Sequence, residues 1–209
     1  TFRWTRPLCS PTPYPPRTLP SCVPARSTWA MPWPFGASVV LEPTFVQLAK
    51  LAGGVPVIAV DLNDAVLERA KRLGADHTLR SDDPELMQKI EDITHGRMID
   101  VAFDAVGIKP TLRACVDSLD VDGKAVSVGL SPQDIDAGPF LNFNLHRKQV
   151  LGHLGYKSQD IAMLAEMLSY HRLDLTESIS KVIPLKEIET GIEELESHQG
   201  NPIRILVKP

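Results

Sequence analysis

Asp61 closes an unbroken apolar run, Val57-Ile58-Ala59-Val60. Such a run suits a parallel strand buried on both faces. A carboxylate at the carboxyl end of that strand can accept hydrogen bonds from the hydroxyls of a nucleotide ribose, and its charge would repel a 2′-phosphate. Two further strand ends carry glycine. Ala105-Val106-Gly107 closes a run that begins at Ile99, and Val128-Gly129-Leu130 closes one that begins at Ala125. Ligands of open parallel sheets bind outside the carboxyl ends of strands, so these three places are the candidate binding groups. The plainer alternatives are a helix cap for Asp61 and simple turn glycines for Gly107 and Gly129.

The phosphate end of such a site is the anomaly. A dinucleotide fingerprint needs a glycine-rich turn between its first strand and first helix, where the backbone touches the pyrophosphate. No glycine lies between Gly36 and Gly53, and no G-x-G occurs in the 209 residues. The strand expected over residues 37–41 meets the helix expected over 44–52 through Glu42 and Pro43 alone. Glu42 brings negative charge to the helix start, and Pro43 removes an N–H donor. The cofactor indicated is NAD rather than NADP, with binding weak or lost.

Other chemistry finds no pattern. Cys9, Cys22 and Cys115 are too dispersed for a structural zinc site, and the six histidines form no H-x-x-x-H pair. There is no G-x-S-x-G nucleophile. No catalytic residue and no metal ligand is assigned.

Stepping outward, the elements that must hold these groups alternate. Helices are expected over 44–52 (Phe45, Leu48 and Ala52 inward), 63–74 (Val66, Leu67, Ala70, Leu73) and from Asp83-Pro84 onward (Leu86, Ile90, Ile93). Strands are expected over 57–60, 77–79, 99–106, 125–128 and 149–154, with a helix over 110–119. Ser158 should cap a helix to about Tyr170 with Ile161, Leu164 and Leu168 inward. Alternation of this kind gives an α/β fold, a doubly wound parallel sheet with right-handed crossovers. The last forty residues offer strands over 179–183 and 203–207 around a helix over 185–198 carrying Ile188, Ile192 and Leu195 on one face.

Composition divides the chain. The first 41 residues hold nine of the eighteen prolines, all three tryptophans and no Asp, Glu or Lys. Proline at this density excludes helix and central strand. Residues 1–36 are expected to be a disordered or non-native Pro/Arg-rich head: a tail, a polyproline ligand, or a GC-rich gene read out of frame. Beyond it the chain is ordinary. A net charge of −4 gives no basic field for nucleic acid. The longest apolar run, 55–60, is too short for a membrane. A reducing cytoplasm is the default compartment.

The run Val60-Asp61-Leu62-Asn63-Asp64 with Leu67-Glu68-Arg69-Ala70-Lys71-Arg72-Leu73-Gly74-Ala75-Asp76 resembles the medium-chain dehydrogenase/reductase superfamily, most closely the zinc-type alcohol and polyol dehydrogenases. Asp100–Gly107, Gly123–Gly129 and Gly200-Asn201-Pro202-Ile203-Arg204 extend the likeness from about residue 44 to the end. The resemblance implies a Rossmann-like NAD-binding domain over 37–165 and a C-terminal remnant, 166–209, of the GroES-like catalytic domain. It implies that the zinc ligands belong to a preceding part that is expected to be missing. Zinc, a cofactor of the parent family, is therefore not expected here. The strands 179–183 and 203–207 would then lack their usual neighbours. It implies that Ala105-Val106-Gly107 packs near the adenine, Val128-Gly129-Leu130 near the nicotinamide, and Arg204 on the cofactor phosphates. Where relatives carry a basic residue five positions after the ribose acid, this chain has Val66. The implied substrate is a small alcohol or carbonyl compound, and the implied self-association runs through the last sheet strand. The expected function is an NAD-dependent alcohol or polyol dehydrogenase fragment, inactive as it stands. A non-catalytic dinucleotide-binding or assembly module and a zinc-free quinone or enoyl reductase are the alternatives.

Overall fold

The computed structural model describes residues 38–40, 43–197, 200 and 202–209. The expectations for the proline-rich head and for Glu42 fall outside them.

Eight strands and seven α-helices are described: β1 Ser38–Val40, α1 Pro43–Leu51, β2 Val57–Asp61, α2 Asp64–Arg72, β3 His77–Arg80, α3 Leu86–Ile93, β4 Ile99–Asp104, α4 Lys109–Asp117, β5 Leu119–Ser127, α5 Phe140–Leu145, β6 Gln149–Gly152, α6 Ser158–Ser169, β7 Lys181–Pro184, α7 Ile188–Ser197 and β8 Ile205–Lys208. The first six strands form one sheet in the order β3-β2-β1-β4-β5-β6, every pair parallel. Strand order therefore reverses between β1 and β4, the switch point at which doubly wound sheets open a crevice.

Side chains of β2 alternate between two cores, as strand periodicity requires. Ile58 and Val60 pack with Leu86 and Ile90 of α3 and Leu112, Cys115 and Val116 of α4. Val57 and Ala59 pack on the opposite face with Val46 and Ala49 of α1 and Ala70 of α2. Burial on both faces explains why this strand is apolar without a break.

Several local expectations are corrected. Helix α1 buries Val46 and Ala49 rather than Leu48 and Ala52, while Phe45 stacks on Phe103 at 5.4 Å. Asp83 accepts the Glu85 N–H in a tight turn, which delays α3 to Leu86. Leu119 leaves the helix and starts β5, because Ile99 pairs with it across the sheet. Helix α5 was not expected. Helix α6 buries no residue, so Ile161 and Leu164 face outward, and the Asp160 carboxylate, not Ser158, accepts the Lys157 N–H at its start. On α7 it is Gly191 that is buried, against Ile183 and Ile205, while Ile188 and Ile192 are exposed. Strands β7 and β8 pair with each other in parallel as a second, two-stranded sheet. No helix among the described residues is long and apolar enough to cross a membrane.

Candidate functional site

Asp104 organises the floor of a cleft at the carboxyl edge of the sheet. It is the last residue of β4 and is fully buried. Its Oδ1 accepts the N–H groups of Val106 and Gly107, each at 3.1 Å. Its main-chain oxygen accepts the N–H groups of Val128 at 2.8 Å and Gly129 at 2.9 Å. One residue thus ties together the loops that follow β4 and β5. Its Oδ2 is buried and has no hydrogen-bond partner among the described residues. The neighbouring Cys115 thiol is pushed up to about 12, by burial first and then by the Asp104 charge.

These bonds bring the two glycines into contact. A Cβ placed on Gly129 would stand 2.3 Å from Gly107 N, and one on Gly107 would stand 2.4 Å from the Gly129 carbonyl carbon. Only glycine at both places allows this approach, and Gly107 also holds a φ of +80°. Beside them opens a cavity of about 290 Å³. Ile108, Lys109 and Leu112 at the start of α4 form one wall, and Val150, Gly152 and His153 at the end of β6 form another. Leu130, 75% exposed, and Ile135 stand at its rim. Ser127 and Gln133 supply polar atoms, and Gln133 Oε1 accepts the Lys109 N–H at 2.9 Å.

Gly107, Gly129 and Leu130 therefore meet in one cleft. Val106 and Val128 flank it through the Asp104 bonds, and neither they nor Ala105 are among its lining. Asp61 lies at the end of β2, three strand positions from β5, or about 14 Å. Half-buried, it is raised by burial from the ordinary carboxylate value, against the pull of the Asn63 and Leu62 N–H groups; Oδ1 accepts the Asn63 N–H at 2.8 Å. Arg204 is exposed and adjoins the second sheet, where its carbonyl accepts the Ser180 N–H. Sequence reasoning missed Asp104, Ser127, Gln133 and His153. For Asp104 a signal existed: an aspartate at a strand end, followed by backbone N–H groups two and three residues on, is a common local acceptor.

A dinucleotide fits this edge in part. The glycine pair closes the floor of the cleft, and the cleft and Asp61 lie on opposite sides of the switch point. The turn between them is the poor part, since only residues 41 and 42 separate β1 from α1 and Pro43 is the first helical residue. Zinc does not fit. Among the described residues no three His, Cys, Asp or Glu side chains stand together so as to hold a metal ion, and no step is derived through one.

A family model described as zinc-binding dehydrogenase matches residues 44–170. The NAD-dependent alcohol dehydrogenase of Sulfurisphaera tokodaii is 28% identical over 82% of this chain and 49% of its own length. The sorbitol dehydrogenase of Gallus gallus is 26% identical over 78% of this chain and 45% of its own. Among solved structures, a zinc-dependent alcohol dehydrogenase from Streptococcus pneumonia superposes with a TM-score of 0.77 at 25% identity, covering 84% of this chain and 52% of that one. The chain spans about half the length of the curated relatives it matches. With its matched family model, the 3-2-1-4-5-6 strand order and the glycine pair at the carboxyl edge, the chain belongs to the zinc-type alcohol dehydrogenase group of the medium-chain dehydrogenase/reductase family.

Proposed function

We propose that these residues form the cofactor half of an NAD-dependent alcohol or polyol dehydrogenase, with residues 166–209 as the C-terminal part of its catalytic domain. The observation that carries the reading is the Gly107–Gly129 contact beside a cavity at the switch-point edge. NAD bound there would supply the acceptor for a hydride from a carbinol carbon. Asp61 would accept the ribose hydroxyls, Gly107 and Gly129 would hold the two loops together as the floor beneath the cofactor, and Ile108, Leu112 and Leu130 would exclude water from it. The relatives carry alcohol, sorbitol and geraniol in their names, and a small alcohol is the substrate class proposed here. Arg204 as a phosphate contact belongs to this reading, as does a cytoplasmic setting.

The same residues argue for weak cofactor binding and no turnover by this chain alone. Fluorescence titration with NADH should give weak or undetectable binding, with NADH favoured over NADPH. Replacing Glu42-Pro43 by a full G-x-G-x-x-G turn should restore binding, and Glu42→Gln should help only slightly. NADH binding by the unmodified chain as tight as that of an ordinary dehydrogenase would refute the damaged-turn reading. A second reading, self-association through β6, rests on its place as the last strand of the described sheet and on the exposed Leu151 and Leu154. Sedimentation that finds only monomer removes it.

A further inference from the structure

We propose that Arg80, held by Asp64 and Asp82, is the residue pair-switch that decides between a ribose hydroxyl and a ribose 2′-phosphate at the β2 edge, and that Asp61 alone does not decide it. The proposal rests on the cofactor reading above. Asp61 and Arg80 are the last residues of adjacent parallel strands and are register partners. Register partners project to the same face about 5 Å apart. The strand geometry thus sets a guanidinium beside the carboxylate that would meet the ribose.

That guanidinium is turned away to other acceptors. Arg80 Nη1 donates to Asp64 Oδ1 at 2.7 Å, Nε to Asp82 Oδ1 at 2.8 Å and Nη2 to Asp82 Oδ2 at 2.9 Å. Asp64 opens α2, three residues after Asp61, and Asp82 lies in the turn after β3. The bidentate Asp82 bond is the geometry a phosphate would otherwise take. Three carboxylates around one guanidinium leave the edge with a formal charge of −2. A 2′-phosphate arriving there meets repulsion and a cation whose fork is already filled. Asp64 and Asp82 are positioning residues, because they act through Arg80.

Removing Asp61 alone leaves the fork filled and one negative charge in excess. Each partly exposed charge changes affinity by a factor of only about 2 to 5. Asp61→Ala should therefore narrow the preference without reversing it. Asp61→Ala with Asp64→Asn and Asp82→Asn frees the fork and makes the edge positive, and the preference should reverse. Adding Arg80→Met to that triple variant should erase the gain.

The probes are 5′-AMP and adenosine 2′,5′-bisphosphate, which differ only by the 2′-phosphate and carry a single 5′-phosphate in place of the pyrophosphate. Amide shifts of the full chain, followed by NMR titration, give both affinities, and 5′-AMP binding also reports that each variant is folded. The expected order is a 5′-AMP preference in the unmodified chain, a smaller one in Asp61→Ala, a reversed one in the triple variant and its loss with Arg80→Met. Reversal by Asp61→Ala alone overturns the proposal. So does a triple variant that binds 5′-AMP yet gains nothing for the bisphosphate, or a gain that survives Arg80→Met; either leaves the cofactor reading standing. Absence of binding of both nucleotides to every variant overturns both.

Discussion

Gly129→Ala is the sharpest test of the cleft. The added Cβ would lie 2.3 Å from Gly107 N and from the Val106 carbonyl carbon, and 2.6 Å from Val106 O. These are main-chain atoms, so no side chain can swing aside. Ordinary contact begins near 3.4 Å, so the two loops must part by about 1 Å. The Asp104 bonds to Gly107 N at 3.1 Å and to Gly129 N at 2.9 Å then stretch beyond useful length. Two such bonds contribute about 1 kcal/mol each, and overpacking adds about 1–3 kcal/mol, so a loss of roughly 3–5 kcal/mol is expected. With a urea m-value of about 2 kcal/mol/M, the midpoint should fall by about 1.5–2.5 M. Gly152→Ala is the control. Gly152 lines the same cavity, but its Cβ would meet nothing within 4 Å. That variant should stay within about 0.5 kcal/mol of the parent. Equal midpoints for the two variants would refute the claimed contact between the glycines.

Three further outcomes are expected. Burial alone would raise the Asp76 carboxyl, but bonds from Lys50 Nζ at 2.8 Å and Val57 N at 2.7 Å outweigh it and hold it below the usual range. A carboxyl lowered in the folded state stabilises above its unfolded pKa, and that stability is lost as pH falls through the folded one. Urea midpoints from pH 7 to pH 2 should therefore drop less steeply in Asp76→Asn than in the parent; parallel curves would count against the assignment. Cys115, 3% exposed with a thiol near 12, should be thiolate in only roughly one chain in 10,000 at pH 8. Peptide mapping after iodoacetamide should find it modified only under denaturing conditions, and rapid native labelling would contradict its burial. Gln47 of α1 donates to Asp174 O at 2.7 Å and accepts Asp174 N at 2.8 Å, tying the C-terminal segment to the first sheet's helices. Gln47→Ala should raise proteolysis near residues 170–180 several-fold with little change in the midpoint; unchanged cleavage would show that other contacts hold the segment.

Local pattern carried much of the fold. Alternating apolar runs and amphipathic stretches are short-range signals, so β2, α2 and β4 were legible from Val57, Leu67 and Ile99 onward. The strand-end Asp61 and the paired glycines were also legible, because position after an apolar run is itself a sequence feature. The absence of a glycine turn needed no coordinates at all. What tertiary structure alone decided is which residues meet. Periodicity marks a stripe but not what covers it. Ile161, Leu164, Ile188 and Ile192 have helical spacing yet face outward, while Gly191, with no side chain, is the residue of α7 that packs. Leu119 reads as helical until Ile99 claims it as a strand partner. Gly107 and Gly129 are twenty-two residues apart, and nothing local says that they touch. Asp104 makes them touch by accepting from both loops, and the pairing of β4 with β5 puts it in place to do so. Hydrogen bonds between distant segments depend on strand order, and strand order is a property of the folded chain.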